Sequence, residues 1–176
     1  HQLDRLAQKS RRSRDFTFNA LRQALRAVIA AFPVYRSYIA DDGVHDADRR
    51  AIEIAVRRAT ARNPLLSRRV FGFIRDMLLL ESPESFTDED RAEQRRFAGK
   101  FQQVTAPVTA KGVEDTAFYI YNRLASLNEV GGEPGRFGLK PEAVHAYNRD
   151  RQARWPYALS PLSTHDTKRS EDVRAR

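Results

Sequence analysis

Residues 159–176 read LSPLSTHDTKRSEDVRAR, an apolar lead-in running straight into a dense cluster of hydroxyl, imidazole, carboxylate and cationic groups. YALSPLS, 157–163, has short β-like character, so Ser163, Thr164, His165 and Asp166 fall where a strand turns into a loop. A His-Asp dipeptide in a polar loop, taken alone, reads first as surface decoration. A reactive cluster with so little chain behind it to hold its geometry instead suggests an enzyme read only in part, and the residues upstream decide between the two.

Those residues are patterned for helices. Between 15 and 32 the apolar Phe18, Leu21, Leu25, Val28, Ile29 and Phe32 recur at steps of three and four, an amphipathic helix that Pro33 ends. PVYRSYI, 33–39, is β-prone, and DDGVHDADRR offers a turn followed by an acidic helix start at Asp46. This second helix aligns Ile52, Ala55, Val56 and Ala59 and closes at Asn63-Pro64, because the residue before a proline avoids helical geometry. A third, 65–80, carries Leu66, Val70, Phe73, Ile74, Met77 and Leu78 along one side and is expected to be the most buried. Thr87 with Asp90 three residues later is a capping signal for a fourth helix through Phe97, Phe101 and Val104, which Pro107 is expected to break. A fifth is expected over 113–127, with Val113, Ala117, Tyr121, Leu124 and Leu127 sharing a face and Tyr121 in the core. EVGGEPGRFG, 129–138, is a loop whose glycines permit tight turns. Pro141 opens a sixth helix through Arg154, closed by Trp155-Pro156.

Composition narrows the class. The 176 residues suffice for one domain or a sizeable piece of a larger one. The formal charge is +8, with 26 arginines and 5 lysines, but they are scattered among acids or along polar helix faces, as in DADRRAIEIAVRRATAR. That is the pattern of a solvated face. There is no RNA-binding aromatic signature, zinc-finger spacing or Gly-rich phosphate loop. The absence of cysteine excludes disulfides and thiolate metal sites and fits a reducing cytosol, so a cytoplasmic location is expected. The four histidines are dispersed without metal-ligand spacing, and His45 and His145 read as surface or capping residues. The apolar runs VIAAF and MLLL are far short of the roughly 20 residues that span a bilayer. The opening HQLDRLAQKSRRSRDF holds no apolar signal core, lacks Met and begins inside a helical pattern.

Six helices with one clear strand, and a second candidate strand at 33–39, make no complete small α/β domain. The pattern fits a mainly α chain with one or two short strands, a helical insertion segment excised from a (β/α)8 barrel: 1–156 as the insertion and 157–176 as a barrel strand with its following loop. Catalytic residues of such barrels lie at the C-terminal ends of strands. His165 and Asp166 would then face the mouth, where an imidazole and a carboxylate can bracket adjacent sugar hydroxyls through hydrogen bonds that strengthen as charge develops at the anomeric carbon.

The longer string carries more. STHDTKRSEDVRAR closely resembles the fourth sequence motif region of the α-amylase superfamily as it stands in the maltooligosyltrehalose synthase family. FQQVTAPVTAKGVEDTAFYIYNRLASLNEVGGEPGRFG, 101–138, resembles an internal segment characteristic of that family, and RDFTFNALRQALRAVIAAFPVYRSYI, 14–39, is a looser match in the same order. The resemblance implies that Asp166 is the transition-state stabiliser and His165 its partner in binding sugar hydroxyls. It also implies that the nucleophilic aspartate and the general-acid glutamate lie in earlier motif regions, which no stretch here resembles. The chain therefore reads as an internal piece of an intramolecular transglycosylase, an isomerase that converts the reducing-end α-1,4 linkage of maltooligosaccharides to an α,α-1,1 linkage. Retaining transfer needs two carboxyl groups about 5–5.5 Å apart, one attacking and one protonating, so the piece alone is expected to be inactive.

Further candidates to touch sugar surround the pair. Lys111, Glu114 and Asp115 fall at an expected helix start, where acids are favourable through the helix dipole and could equally line a site. Tyr119, Tyr121 and Phe118 could stack on sugar rings, although their spacing places at least one in a core. Asn122, Arg123, Asn128 and Glu129 border the Gly-rich loop and could hydrogen-bond a saccharide. Lys168 and Arg169 could orient a sugar or pair with Glu171 and Asp172. No metal, cofactor, nucleic acid or membrane is expected, and apolar surface left open by an absent barrel is expected to favour self-association. Two other classes remain open: an α-amylase-type hydrolase or glucanotransferase, which need not carry KGVEDTAFYIYNRLASLNEVGG, and a basic helical binding module, whose mark is salt-dependent binding to DNA.

Overall fold

The computed structural model describes residues 1–40 and 43–176. The chain divides into two compact units, His1–Ala110 and Lys111–Arg176.

The first unit is built from α1 (Gln2–Gln8), α2 (Phe18–Ala30), α3 (Asp46–Arg62), α4 (Arg68–Leu78) and α5 (Asp88–Thr109). Local chemistry sets their starts. The Thr17 hydroxyl accepts from the Ala20 N–H at 3.2 Å, and the Ser67 hydroxyl from the Arg69 N–H at 3.3 Å. At α5 the expected capping box is complete: Asp90 N–H donates to Thr87 Oγ1 at 3.2 Å while Thr87 N–H donates to Asp90 Oδ2 at 3.1 Å. The shorter of these, α1, α2 and α4, are marginal alone. They are held by a shared core in which α4 is central, packing against α2, α3 and α5. Its Phe71, Ile74, Met77 and Leu78 are buried with Leu21, Val28, Ile52 and Ala55, each large side chain contributing about 1.5–3 kcal/mol.

Two glutamines of α5 tie the loops of this unit to its helices. Gln94 donates from Nε2 to the Asp76 and Met77 carbonyls and accepts from Ser82 at 2.6 Å, closing the C-terminal end of α4. Gln102 accepts from the Ile39 N–H at 2.6 Å and donates to the Ile39 carbonyl at 3.0 Å. That pair corrects the expectation of a strand at 33–39. Residues 33–35 bend, the Ile39 N–H and C=O are taken by that side-chain amide, and Tyr38 N–H donates to Asp48 Oδ1 at 2.9 Å, so these groups need no neighbouring strand. Asp41 and Asp42 of the expected DDG turn lie outside the described residues. Pro107 does not break the fourth helix but lies inside α5, which runs on to Thr109.

The second unit contains all but the first residue of a π-helix (Ala110–Ala117), then α6 (Phe118–Ile120), a 3-10 turn (Ala125–Leu127), α7 (Pro141–Arg154) and α8 (Ser170–Ala175). The single helix expected over 113–127 is therefore replaced by three short pieces. A π-helix closes i to i+5 bonds and turns more slowly than 3.6 residues, which moves the buried face from Tyr121 to Glu114 and Phe118. Phe118 is 3% exposed and Tyr121 44%. Helix α7 matches its expected bounds and buries none of its residues. Residues 157–163 are irregular and exposed, because an isolated extended segment has nothing to take its N–H and C=O groups. Among the described residues no β-strand forms.

Candidate functional site

His165 and Asp166 occupy the two corners of a tight turn. Thr167 N–H donates to the Thr164 carbonyl at 3.1 Å, and Thr164 N–H donates to the Thr167 hydroxyl at 2.7 Å, so the threonines lock the turn from both sides. His165 Nε2 lies 3.3 Å from Asp166 Oδ2, with the side chains 91% and 67% exposed. An exposed pair of this kind adds little to stability, and it leaves an imidazole and a carboxylate presented together to a ligand. The flanking Thr-x-x-Thr spacing was readable in the sequence but carries no signal without the turn.

The turn is fastened from behind. Glu129 Oε1 accepts from the Lys168 N–H at 2.6 Å and from the Val130 N–H at 3.0 Å. Its Oε2 accepts from the Arg169 N–H at 3.3 Å and lies 3.4 Å from Arg174 Nη1. Burial pushes the Glu129 carboxyl up, but the N–H groups of Lys168, Val130 and Arg169 and the charge of Arg174 outweigh it and hold it below the ordinary range. Arg174, which sequence reasoning did not single out, also donates to the Leu162 carbonyl on the other side of the turn.

Glu114, Asp115 and Lys111 sit within the π-helix rather than at a helix start. Asp115 bridges two lysines, with Oδ2 at 2.6 Å from Lys111 Nζ and Oδ1 at 2.6 Å from Lys168 Nζ. Hydrogen bonds from Lys111 and then Lys168 lower its carboxyl to about 2. The same contact raises Lys168 above the ordinary lysine value. Glu114 is buried, accepts from the Gly131 N–H at 3.1 Å and lies 3.9 Å from Lys168 Nζ. Lys168 thus pairs with carboxylates more than fifty positions earlier, not with Glu171 or Asp172, because the chain folds the π-helix against the 164–169 loop. Its side chain is 12% exposed, so the ammonium is occupied with protein carboxylates.

Asn128 is fully buried and donates from Nδ2 to the Phe118 carbonyl at 2.8 Å and the Tyr121 carbonyl at 2.6 Å. It terminates α6. Arg169 donates to the same Phe118 carbonyl at 3.1 Å and to Asn122 Oδ1 at 3.5 Å, and its guanidinium lies 4.8 Å from the Tyr119 ring centre, a cation–π distance. Tyr119 and Asn122 are exposed beside it, and Arg123 is exposed as well. The structure therefore gathers Lys111, Glu114, Asp115, Tyr119, Asn122, Asn128, Glu129, Lys168 and Arg169 in one unit with the His165-Asp166 turn. Of these, Asn128 through its Nδ2 and Glu129 through both carboxylate oxygens are turned inward onto backbone groups, a role the sequence does not distinguish from sugar binding.

No family model matches the chain. Over 79 residues it is 54% identical to two curated proteins, from Mycobacterium tuberculosis strains CDC 1551 and H37Rv, which carry the name maltooligosyl trehalose synthase as a provisional one. That stretch is 45% of this chain and 10% of each relative. Among solved structures the chain is similar over 99% of its length to maltooligosyltrehalose synthase from Arthrobacter ramosus, with a TM-score of 0.68 and 38% identity. A point mutant of that enzyme matches with the same TM-score and 37% identity. The chain spans 20% of the length of those structures. Sequence and structure thus both liken this chain to a part of maltooligosyltrehalose synthase.

Proposed function

We propose that this chain is the part of a maltooligosyltrehalose synthase that carries the carboxylate stabilising the transition state. The whole enzyme would be an intramolecular transglycosylase. It would cleave the α-1,4 bond at the reducing-end glucose, hold the remainder as a covalent glycosyl-enzyme, and rejoin that glucose through its anomeric hydroxyl as an α,α-1,1 linkage. In this proposal residues 1–156 form the helical insertion between strands of a (β/α)8 barrel, and 157–176 supply a barrel strand and its loop. The enzyme would act in trehalose formation in the cytoplasm, a compartment in keeping with a chain free of cysteine.

The observation that carries the proposal is the exposed His165-Asp166 turn within a chain similar, along nearly all its length, to a synthase of that name. Asp166 would stabilise the oxocarbenium-like charge, and His165 would hold neighbouring sugar hydroxyls. Neither group attacks or protonates. The 176 residues by themselves would be inactive, since attack and protonation belong to two other carboxyl groups. Such an isomerase must also keep water from its covalent intermediate, and the helical segment would form part of that wall.

The full-length protein containing this chain, incubated with maltopentaose, should remove reducing ends while releasing little free glucose. Release of glucose or maltose in proportion to bonds cleaved would make it a hydrolase instead and overturn the assignment.

A further inference from the structure

The Asp166 turn is short, polar and exposed, and something must hold it at a fixed place. We propose that Glu129 is a positioning residue for Asp166: its carboxylate clips the consecutive backbone amides of Lys168 and Arg169 and so sets where the turn stands. The inference rests on the reading of Asp166 as the stabiliser.

Three features of the structure support it. An ionised carboxylate offers about four lone-pair sites, and Glu129 fills them from within the chain, with Val130 and Lys168 amides on Oε1 and the Arg169 amide and Arg174 guanidinium on Oε2. Nothing is left to accept from a sugar hydroxyl. The clip also acts close to the turn. Thr167 N–H is bound to the Thr164 carbonyl, so the amides of 167, 168 and 169 are pinned in succession directly after Asp166. Finally, Glu129 is itself anchored. Gly132 N–H donates to the Glu129 carbonyl at 2.7 Å across a turn in which Gly131 adopts φ +68°, and the preceding Asn128 is buried against the Phe118 and Tyr121 carbonyls. The residue after the clip, Ser170, adopts φ +59°, a left-handed conformation that a non-glycine residue keeps only when its surroundings impose it.

The test uses two variants. Glu129→Gln turns one acceptor oxygen into a donor, and Glu129→Asp keeps the charge but retracts it by one methylene. In the 176-residue chain, both should speed hydrogen exchange at the Lys168 and Arg169 amides by about tenfold or more relative to the parent sequence, with amides of Asp88–Thr109 unchanged. In the full-length enzyme both should lower kcat by about 10–100-fold with KM nearly constant, as expected when a catalytic group is displaced by about an ångström. Unchanged exchange at both amides overturns the clip. So does a raised KM with kcat retained, which would make Glu129 a sugar ligand. Failure of the unmutated enzyme to form trehalose-ended product refutes the functional reading, and the exchange measurement still decides the clip.

Discussion

Asp115 Oδ1 and Lys168 Nζ lie 2.6 Å apart across 53 positions of sequence. This contact joins the KGVEDTAFY segment to the loop that follows the His165-Asp166 pair. Lys111 shares the same carboxylate at 2.6 Å, and Glu114 lies 3.9 Å from the same ammonium, so two carboxylates and two ammonium groups form one charge-balanced cluster.

The cluster makes the second unit sensitive to acid. Asp115 in the folded chain is lowered from 3.8 to about 2. A group lowered on folding contributes its stability fully above its unfolded value and loses it as pH falls through the folded value. The contribution should therefore be intact above about pH 4 and vanish towards pH 2. Lys168 is raised on folding, so its share is fully present below the ordinary lysine value and fades only when pH rises beyond it. Urea midpoints read from amides of the second unit should fall between pH 5 and pH 2.5, and Asp115→Asn should remove much of that fall. An equal fall in the variant would mean that other carboxylates carry it.

Gly132 should not tolerate a side chain. A Cβ there would meet the Leu127 carbonyl oxygen at 2.6 Å and the Glu129 carbonyl oxygen at 2.7 Å, both of them backbone. Gly132→Ala should destabilise the second unit by about 1–3 kcal/mol and loosen the Lys168 and Arg169 amides along with the Glu129 turn. Hydrogen exchange across 111–176 reads both effects, and wild-type protection at these positions would show that the backbone gives way easily.

In the first unit, Gln102→Leu keeps side-chain bulk while leaving the buried Ile39 N–H and C=O without partners. The cost should be about 1–3 kcal/mol. A urea titration followed by circular dichroism would show it as a lower midpoint. An unchanged midpoint would mean that water replaces the amide at Ile39.

Much of the first unit was legible because its signals are local. The Thr87-Asp90 box, the apolar steps through Val70, Ile74, Met77 and Leu78, and the Asn63-Pro64 stop each act within a few residues. The misreadings have tertiary or unusual backbone causes. Residues 33–39 have β-prone side chains, yet their backbone is satisfied by Gln102, sixty-three positions from Ile39. Tyr121 follows Val113 and Ala117 at helical spacing, but a π-helix alters that spacing, and neither Lys111 nor Gly112 announces it. In the site, His165 and Asp166 stood out through chemistry. The roles of Glu129 and Asn128 did not, because a residue holding backbone and a residue holding sugar need the same functional groups.

The most direct test is a comparison of the full-length enzyme with its Asp166→Asn variant on maltopentaose, following reducing ends and free glucose together. If Asp166 stabilises the transition state, the variant should lose about 10²–10³-fold in kcat, the usual cost of removing one preorganised electrostatic partner, while the unmutated enzyme consumes reducing ends with little glucose. A variant that isomerises at the unmutated rate would contradict the assignment of Asp166.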